Sequence, residues 1–454
     1  MRTAQSRDRA WTASDPGAAG APEEPAKAAR ESPRAGGLGR LVPRVRQFDS
    51  TLAWRADPYG FIGHQCRAHH SDVVEARLLF EPTLCLCGAA AARLFYDPQR
   101  FERAGAAPAW VRATVFGEGG VQALDGAAHL RRKALFMELL TPPRVSALVR
   151  LVGEEWQELG RRWQPGEPVS LVAAAQEVLT RAVCHWAGLP LRQGEVRPRT
   201  KQLVALTDRA AAGPLQHWAA RGARERAERW IAAAIEAFRD DRLREATGSP
   251  LETVAWHHGI DGTELPARVA AVELLSVLRP TVAVSVWMAF AAHALQAHPE
   301  CVRRIRLGDR DYLRAFLDEV RRTYPFFPAI AARVRADFEW QGWRFPAGRR
   351  TLLDVCGSNH DPRVWELPER FRPERFLEGA PGPFDFIPQG GGDVRRHHRC
   401  PGEPLSLSLM RQAVRFLLGR IDYEVPARSL KIDRRRLPAL PLDGFTIRIV
   451  RGVR

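Results

Sequence analysis

The stretch Phe386-Ile-Pro-Gln-Gly-Gly-Gly-Asp-Val-Arg-Arg-His-His-Arg-Cys-Pro-Gly-Glu403 constrains this chain more than any other. Three successive glycines reach backbone angles closed to other residues, and a basic run then delivers one cysteine, followed at once by Pro401 and Gly402. The run from Leu405 to Leu417 is helix-compatible. Cys400 therefore sits just ahead of a helix N-terminus, where the dipole favours a negative sulfur. These features describe a loop that holds a thiolate. The competing reading is a glycine-rich surface turn beside an incidental buried thiol.

A thiolate on haem iron pushes electron density onto the metal and favours O–O cleavage, and it needs backbone nearby to hydrogen-bond and shield the sulfur. Gly390, Gly391 and Gly392 permit that approach. Two further segments carry a family resemblance: Glu319-Val-Arg-Arg322, with a Glu-x-x-Arg pair, and Phe371-Arg-Pro-Glu-Arg-Phe376 between it and Cys400. An i,i+3 pair alone is weak, because such pairs commonly decorate solvated helix faces. With the cysteine loop, and in this order, the chain resembles the cytochrome P450 superfamily. The resemblance implies a mainly α fold with small β-sheets (α+β) in one large domain. It also implies haem b (iron protoporphyrin IX) held through Cys400 as metal ligand, with Gly391 and Arg399 in the cofactor-binding loop, and a structural Glu319–Arg322 pair.

The chain of 454 residues could form two or three domains by length alone; the resemblance argues for one, over residues 41–454. Residues 1–40, rich in Ala, Gly, Pro, Arg and Glu, lack the apolar periodicity needed to offset ordering entropy and are expected to form a disordered basic tail. The formal net charge of +16 comes almost wholly from scattered arginine and accompanies no nucleic-acid motif, so a nucleic-acid partner is not expected. Seven cysteines, with Cys85-Leu-Cys87 too tight for usual zinc spacing, read as reduced thiols of a cytoplasmic protein. No apolar run looks long enough to span a bilayer, and no membrane anchor is expected.

Val73–Phe80 and Thr83–Cys87 read as strands and Ala89–Tyr96 as a helix. Asp125 opens a helix through Leu140 that Thr141-Pro-Pro143 stops. On it His129 and Lys133 share a face at i,i+4, and the resemblance gives them the haem propionates; a solvated basic face is the alternative. Arg221–Glu245 reads as a long charged helix whose Trp230, Ile231, Ile235 and Phe238 stripe packs in the core.

Ala267–Ala297 is apolar and helix-length, yet Arg279-Pro280 stands inside it. Buried arginine is rare unless paired, and proline inside a helix removes a hydrogen bond. Most cytochromes P450 place an acid followed by threonine in this helix to deliver protons, and neither Ser276 nor Thr281 follows a carboxylate here. With Leu278-Arg-Pro280, Leu139-Leu-Thr-Pro-Pro143, Gly213-Pro214 and Asn359-His-Asp-Pro362, the chain resembles the bacterial fatty-acid peroxygenases and decarboxylases, which use hydrogen peroxide and need no redox partner. A guanidinium fork matched to a carboxylate would anchor a long-chain fatty acid, whose carboxylate then serves as general base and acid. The competing role for Arg279 is a structural pair with Glu273.

In that family the residue at Gln122 lies over the haem, with His in the decarboxylating member. Glutamine supplies no imidazolium proton, which favours hydroxylation at the α or β carbon over terminal-alkene formation. The resemblance also assigns Phe116, Ala212, Phe326, Phe327 and Ala329 to the substrate channel, with Pro280 beside Arg279 in the catalytic pair. Two other functions fit the same motifs: a conventional reductase-dependent monooxygenase, or a haem-containing fatty-acid binding protein without chemistry.

Overall fold

The computed structural model describes residues 40–208 and 214–453. The expected tail lies outside the described residues except for Arg40. Six helices position the site: α1 (Gly126–Leu139), α2 (Leu171–Ala187), α3 (Pro214–Arg239), α4 (Ala267–Ala297), α5 (Arg310–Thr323) and α6 (Glu403–Gly419). α4 runs through the core, against α2, α3 and α6. Its Ala, Val and Leu content suits a helix buried all round, and each large aliphatic side chain removed from water contributes about 1.5–3 kcal/mol. The helix ends at His298, and Pro299 starts the next one.

Between Ala270 and Ala292 every residue of α4 is buried except Ser276, Pro280 and Ala283. These follow at i, i+4 and i+7, so they form one half-buried stripe on the helix. Pro280 has no N–H to give to the Ser276 carbonyl one turn earlier. By length and composition α4 could cross a membrane, which corrects the sequence expectation that no apolar run was long enough; its apolar surface is spent on the core instead.

A five-stranded sheet stands beside the helices. Its strands are β1 (Val73–Leu78), β2 (Glu81–Leu86), β3 (Phe101–Glu102), β4 (Ala329–Val334) and β5 (Arg350–Asp354), in the order β1-β2-β5-β4-β3. β2 and β5 pair in parallel and the other neighbours are antiparallel. β1 and β2 are joined by Leu79 and Phe80 alone, whose φ values are +54° and +61°. Both therefore adopt the left-handed conformation of a tight hairpin turn, normally the province of Asn-Gly. Asp49 and Thr51 hold the turn by accepting from the Phe80 and Leu79 N–H groups, at 2.8 and 2.6 Å.

The charged helix expected at Arg221–Glu245 begins earlier, at Pro214, and ends at Arg239. Its Ile231 and Ile235 are fully buried, and Trp230 and Phe238 pack against the same core, as the stripe implied. Thr446–Arg451 forms a strand between Pro168–Ser170 and Asp422–Glu424.

Candidate active site

The cysteine loop is fixed from several sides. The Cys400 N–H donates to the Gln389 carbonyl at 2.9 Å, and α6 starts three residues later. Gly390 has φ +96°, and a Cβ there would lie 2.8 Å from the Tyr96 hydroxyl and 3.1 Å from the Arg399 Cα. A Cβ on Gly391 would meet the Ile387 side chain at 2.9 Å and the Pro383 carbonyl at 3.2 Å. The glycine run is thus a steric requirement of the loop. Burial raises the Cys400 thiol, opposed by the Gly402 N–H, Lys133 and Gln389.

The basic run serves this frame. Arg399 donates to Glu403 at 2.9 Å and to the Gly392 carbonyl at 3.2 Å. Glu403 also accepts from Arg321, which bonds Asp318 at 2.8 Å. Beside them Arg322 makes a two-pronged pair with Glu319, at 2.7 and 2.8 Å, and donates to the Asn359 carbonyl at 3.1 Å. Arg375 adds a contact to Glu319 at 3.2 Å, so the Phe371–Phe376 segment packs on the pair as expected. The Asn359 side-chain oxygen accepts from Ile387 N–H at 2.9 Å, which carries the frame into the cysteine loop.

From α1, Lys133 donates to the carbonyls of His397, at 3.1 Å, and Arg399. Burial pushes its amine down to about 8. His129 is buried and stacks on His398 with ring centroids 3.8 Å apart. Burial, then Lys133, push His129 down to about 4, and burial pushes His398 down to about 3. Against the burial that raises it, hydrogen bonds from His398 and the Ala104 and Arg103 N–H groups hold the Asp125 carboxyl below its usual range. Arg132, the third base of this turn, pairs with Glu273 of α4 and leaves the propionate face.

Arg279 is 8% exposed, and among the described residues it has neither carboxylate nor carbonyl partner. Burial, then the charge of Arg224, push its guanidinium down to about 9, and Cys400 acts in the opposite sense. The structural pair with Glu273 that competed with the anchoring role is absent, because Glu273 belongs to Arg132. Burial still raises the Glu273 carboxyl to about 7.

Gln122 stands in a short turn at Val121–Ala123 and donates to the Ser276 hydroxyl at 3.4 Å, while its side-chain oxygen is buried without a partner. Phe116 closes a wide helical turn, Arg112–Phe116, whose last three carbonyls accept from Arg224 of α3. Arg224 also pairs with Glu228 at 2.6 Å. Phe326 is buried and stacks on Trp287 of α4 at 4.8 Å; Phe327 lies edge-on to it, 47% exposed, and Ala329 opens β4. Ala212 lies outside the described residues.

Sequence reasoning missed Arg224, Ser276 and the Arg132–Glu273 pair. The i,i+4 spacing of Arg224 and Glu228 was a signal, but surface pairs share it. Among the described residues no three His, Cys, Asp or Glu side chains converge as ligands. The haem that the sequence resemblance implies would bring its own ring of ligands to Cys400. The residues fit it: the Cys400 thiol in its glycine loop would supply a sulfur ligand, and buried His129 and Lys133 beside that loop would meet anionic propionates.

A family model described as Cytochrome P450 matches residues 295–442. Cytochrome P450SP alpha (CYP152B1), solved in complex with (R)-ibuprophen, is 46% identical, the match covering 88% of this chain and 98% of that one, with a TM-score of 0.85. Cytochrome P450EX alpha (CYP152N1), solved with myristic acid, is 40% identical over 91% of this chain and 100% of that one, TM-score 0.88. Ligand-free cytochrome P450 OleT is 30% identical over 91% and 99%, TM-score 0.87.

Proposed function

Because this chain belongs to the cytochrome P450 family, in its fatty-acid peroxygenase branch, we propose that Arg279 anchors the substrate carboxylate and that this contact places the acid for reaction. The protein is a haem-thiolate peroxygenase that hydroxylates long-chain fatty acids with hydrogen peroxide and requires no redox partner. One observation carries the anchoring role: the buried Arg279 guanidinium has neither carboxylate nor carbonyl partner among the described residues.

A bound haem with a sulfur ligand supplies O–O cleavage and oxygen insertion. Cys400 provides that sulfur, with Lys133 and His129 toward the propionates. Gly391 allows the loop its close approach, and Arg399 holds the loop to α6. The half-buried stripe of α4 carries Ser276, Pro280 and Ala283, and none of these is an acid. Glu273, the carboxyl one turn before Ser276, is committed to Arg132. The proton handling on peroxide therefore falls to the substrate carboxylate held in the Arg279 fork, a general base and acid brought in with the substrate. Pro280 keeps that stretch free of a donor side chain. A headgroup fixed this close brings the α or β carbon to the reacting centre, with Phe116, Gln122, Phe326, Phe327, Ala329 and Ala212 shaping the chain's path. Gln122 offers no imidazolium proton, so hydroxylation leads and decarboxylation to terminal alkene is a minor outcome.

Residues 41–454 constitute the catalytic domain. The seven cysteines, none of them disulfide-bonded, support a reducing cytoplasmic location. The test mixes purified haem-loaded protein, hydrogen peroxide and a series of saturated acids without reductase, with products read by mass spectrometry. α- or β-hydroxy acids are expected, and absence of turnover overturns the reading in favour of a reductase-dependent enzyme. Fatty-acid binding with a haem spin shift but no product would instead leave a carrier. Cys400→Ser is expected to lose the red-shifted Soret band of the carbon monoxide complex; a band that persists places the ligand elsewhere.

A further inference from the structure

The wide turn Arg112–Phe116 is closed by the Gly117 N–H, which donates to the Arg112 carbonyl five residues back at 2.8 Å. Turns of this width are rare and gather at functional sites. Gly117 then leaves it at φ +84°, so the carbonyls of Thr114, Val115 and Phe116 lose the donors that a continuing helix would give them. Arg224 of α3 supplies all three, at 3.4, 2.9 and 3.0 Å, from a guanidinium only 2% exposed. A cation there also meets the negative end of the turn's dipole.

The contact is oriented and tight. The Arg224 Nε donates to Glu228 on its own helix at 2.6 Å, which leaves the two terminal nitrogens for the turn. A Cβ on Gly117 would lie 2.1 Å from the Arg224 Nη2 and 2.8 Å from Val272 of α4. Two turns before Arg224, on the same face of α3, His217 lies 3.3 Å from the Thr114 hydroxyl and edge-on to Trp110 at 5.2 Å. One face of α3 therefore sets where the backbone of Phe116 stands, and the backbone sets where its ring points.

We propose that Arg224 is a positioning residue that determines specificity: by fixing Phe116 it fixes how the acyl chain lies, and with it the choice between the α and β carbon. The proposal rests on the peroxygenase reading, in which Phe116 shapes the chain's path. Arg224 acts through that ring and not by holding the acid, which is the task of Arg279.

Arg224→Lys tests this, because it keeps the positive charge and the Glu228 partner while a single ammonium does not reproduce a planar fork across three carbonyls. With haem-loaded protein, hydrogen peroxide and myristic acid, the variant is expected to shift the ratio of α- to β-hydroxy acid at least threefold. KM should rise at least fivefold, with kcat falling by less than KM rises. In a Phe116→Ala background the same substitution is expected to leave the ratio unchanged, since the ring it steers is gone. Gly117→Ala drives the guanidinium from the turn by another route and should shift the ratio in the same direction. Amide hydrogen exchange over Thr114–Gly117, read without substrate, is expected to quicken at least tenfold in Arg224→Lys while exchange in α4 stays as in the wild type. An unchanged ratio, a shift of equal size in the Phe116→Ala background, or unchanged exchange overturns the proposal while wild-type turnover persists. Absence of product from the wild type is the separate failure, that of the peroxygenase reading, and takes the proposal with it.

Discussion

Two buried arginines, Arg322 on α5 and Arg279 on α4, show what the surroundings of one side chain decide. Arg322 is 1% exposed and spends its nitrogens on Glu319, the Asn359 carbonyl and the Arg370 carbonyl, so its burial is fully compensated. Arg279 is 8% exposed and has none of this among the described residues. Taking a cation from water costs several kcal/mol, and only good geometry and further hydrogen bonds return it. The first arginine therefore holds structure together. The second retains an unmet demand for an anion, which is the property of a binding site.

The comparison breaks most sharply at Arg279. Arg279→Leu is expected to lower kcat/KM for a long-chain acid by about 10³-fold, about 4 kcal/mol of transition-state stabilisation, with added short carboxylic acids giving no rescue. The same change is expected to make the substrate-free protein more stable, by about 1–3 kcal/mol in urea unfolding, because an uncompensated charge leaves the interior. A structural arginine would move both quantities downward together. Unchanged turnover would reject the anchor.

At the paired arginine the expected sign reverses. Glu319→Gln leaves Arg322 and Arg375 facing each other without their shared carboxylate and is expected to cost about 3–4 kcal/mol of stability. Haem retention should fall with it, since Asn359 passes the constraint to Ile387 at the start of the cysteine loop. Urea unfolding and the haem-to-protein absorbance ratio check this. A variant that unfolds like wild type would show that the cysteine loop stands without the pair.

This contrast also explains what the sequence disclosed. The Cys400 loop, the Glu319–Arg322 pair with its Phe371–Phe376 partner, and the bounds of α4 were legible because each depends on local chemistry: glycine sterics, i,i+3 spacing, an apolar run closed by His298-Pro299. That Arg279 would be unpaired was legible only in part, since Glu273, six residues earlier, stood as the competing partner until α1 brought Arg132 to it. Arg224 was hidden because its partners are the backbone carbonyls of Thr114, Val115 and Phe116, about a hundred residues away. The β1–β2 turn was placed two residues late for a different reason: Leu79-Phe80 carries no turn chemistry, so the first strand was read on to Phe80 and the break put at Glu81-Pro82. Composition alone would not have separated α4 from a membrane span; its burial in the core does.

Between the two arginines in degree of compensation lies the His129–His398 stack. Both rings have folded pKa values depressed by burial, so the unfolded chain takes up their protons first, near the ordinary histidine value of about 6.5. Stability should be flat in this respect above that pH and decline as pH falls toward about 4, where His129 itself protonates. The loss is expected to be on the order of 2 kcal/mol, reduced when bound propionates compensate the rings. His398→Phe keeps a ring against His129 and removes one site, so its stability between pH 7 and 5 should change less than wild type's. Equal acid sensitivity in the two proteins would shift the cause to other groups.

The smallest expected effect sharpens the picture at the mouth of the anchor. Gln122 holds Ser276 only by a long 3.4 Å contact and leaves its own oxygen buried and unsatisfied, so its side chain is weakly committed and replaceable. Gln122→His introduces a ring that can carry a proton near neutral pH, where the amide carries none. The share of terminal alkene among products should rise several-fold, a change of about 1 kcal/mol in partition, while total peroxide-driven turnover stays within about threefold. Product ratios by mass spectrometry decide it. An unchanged ratio would mean that Gln122 does not reach the carboxylate held at Arg279, and the channel would then have to approach the fork from the Phe326 side.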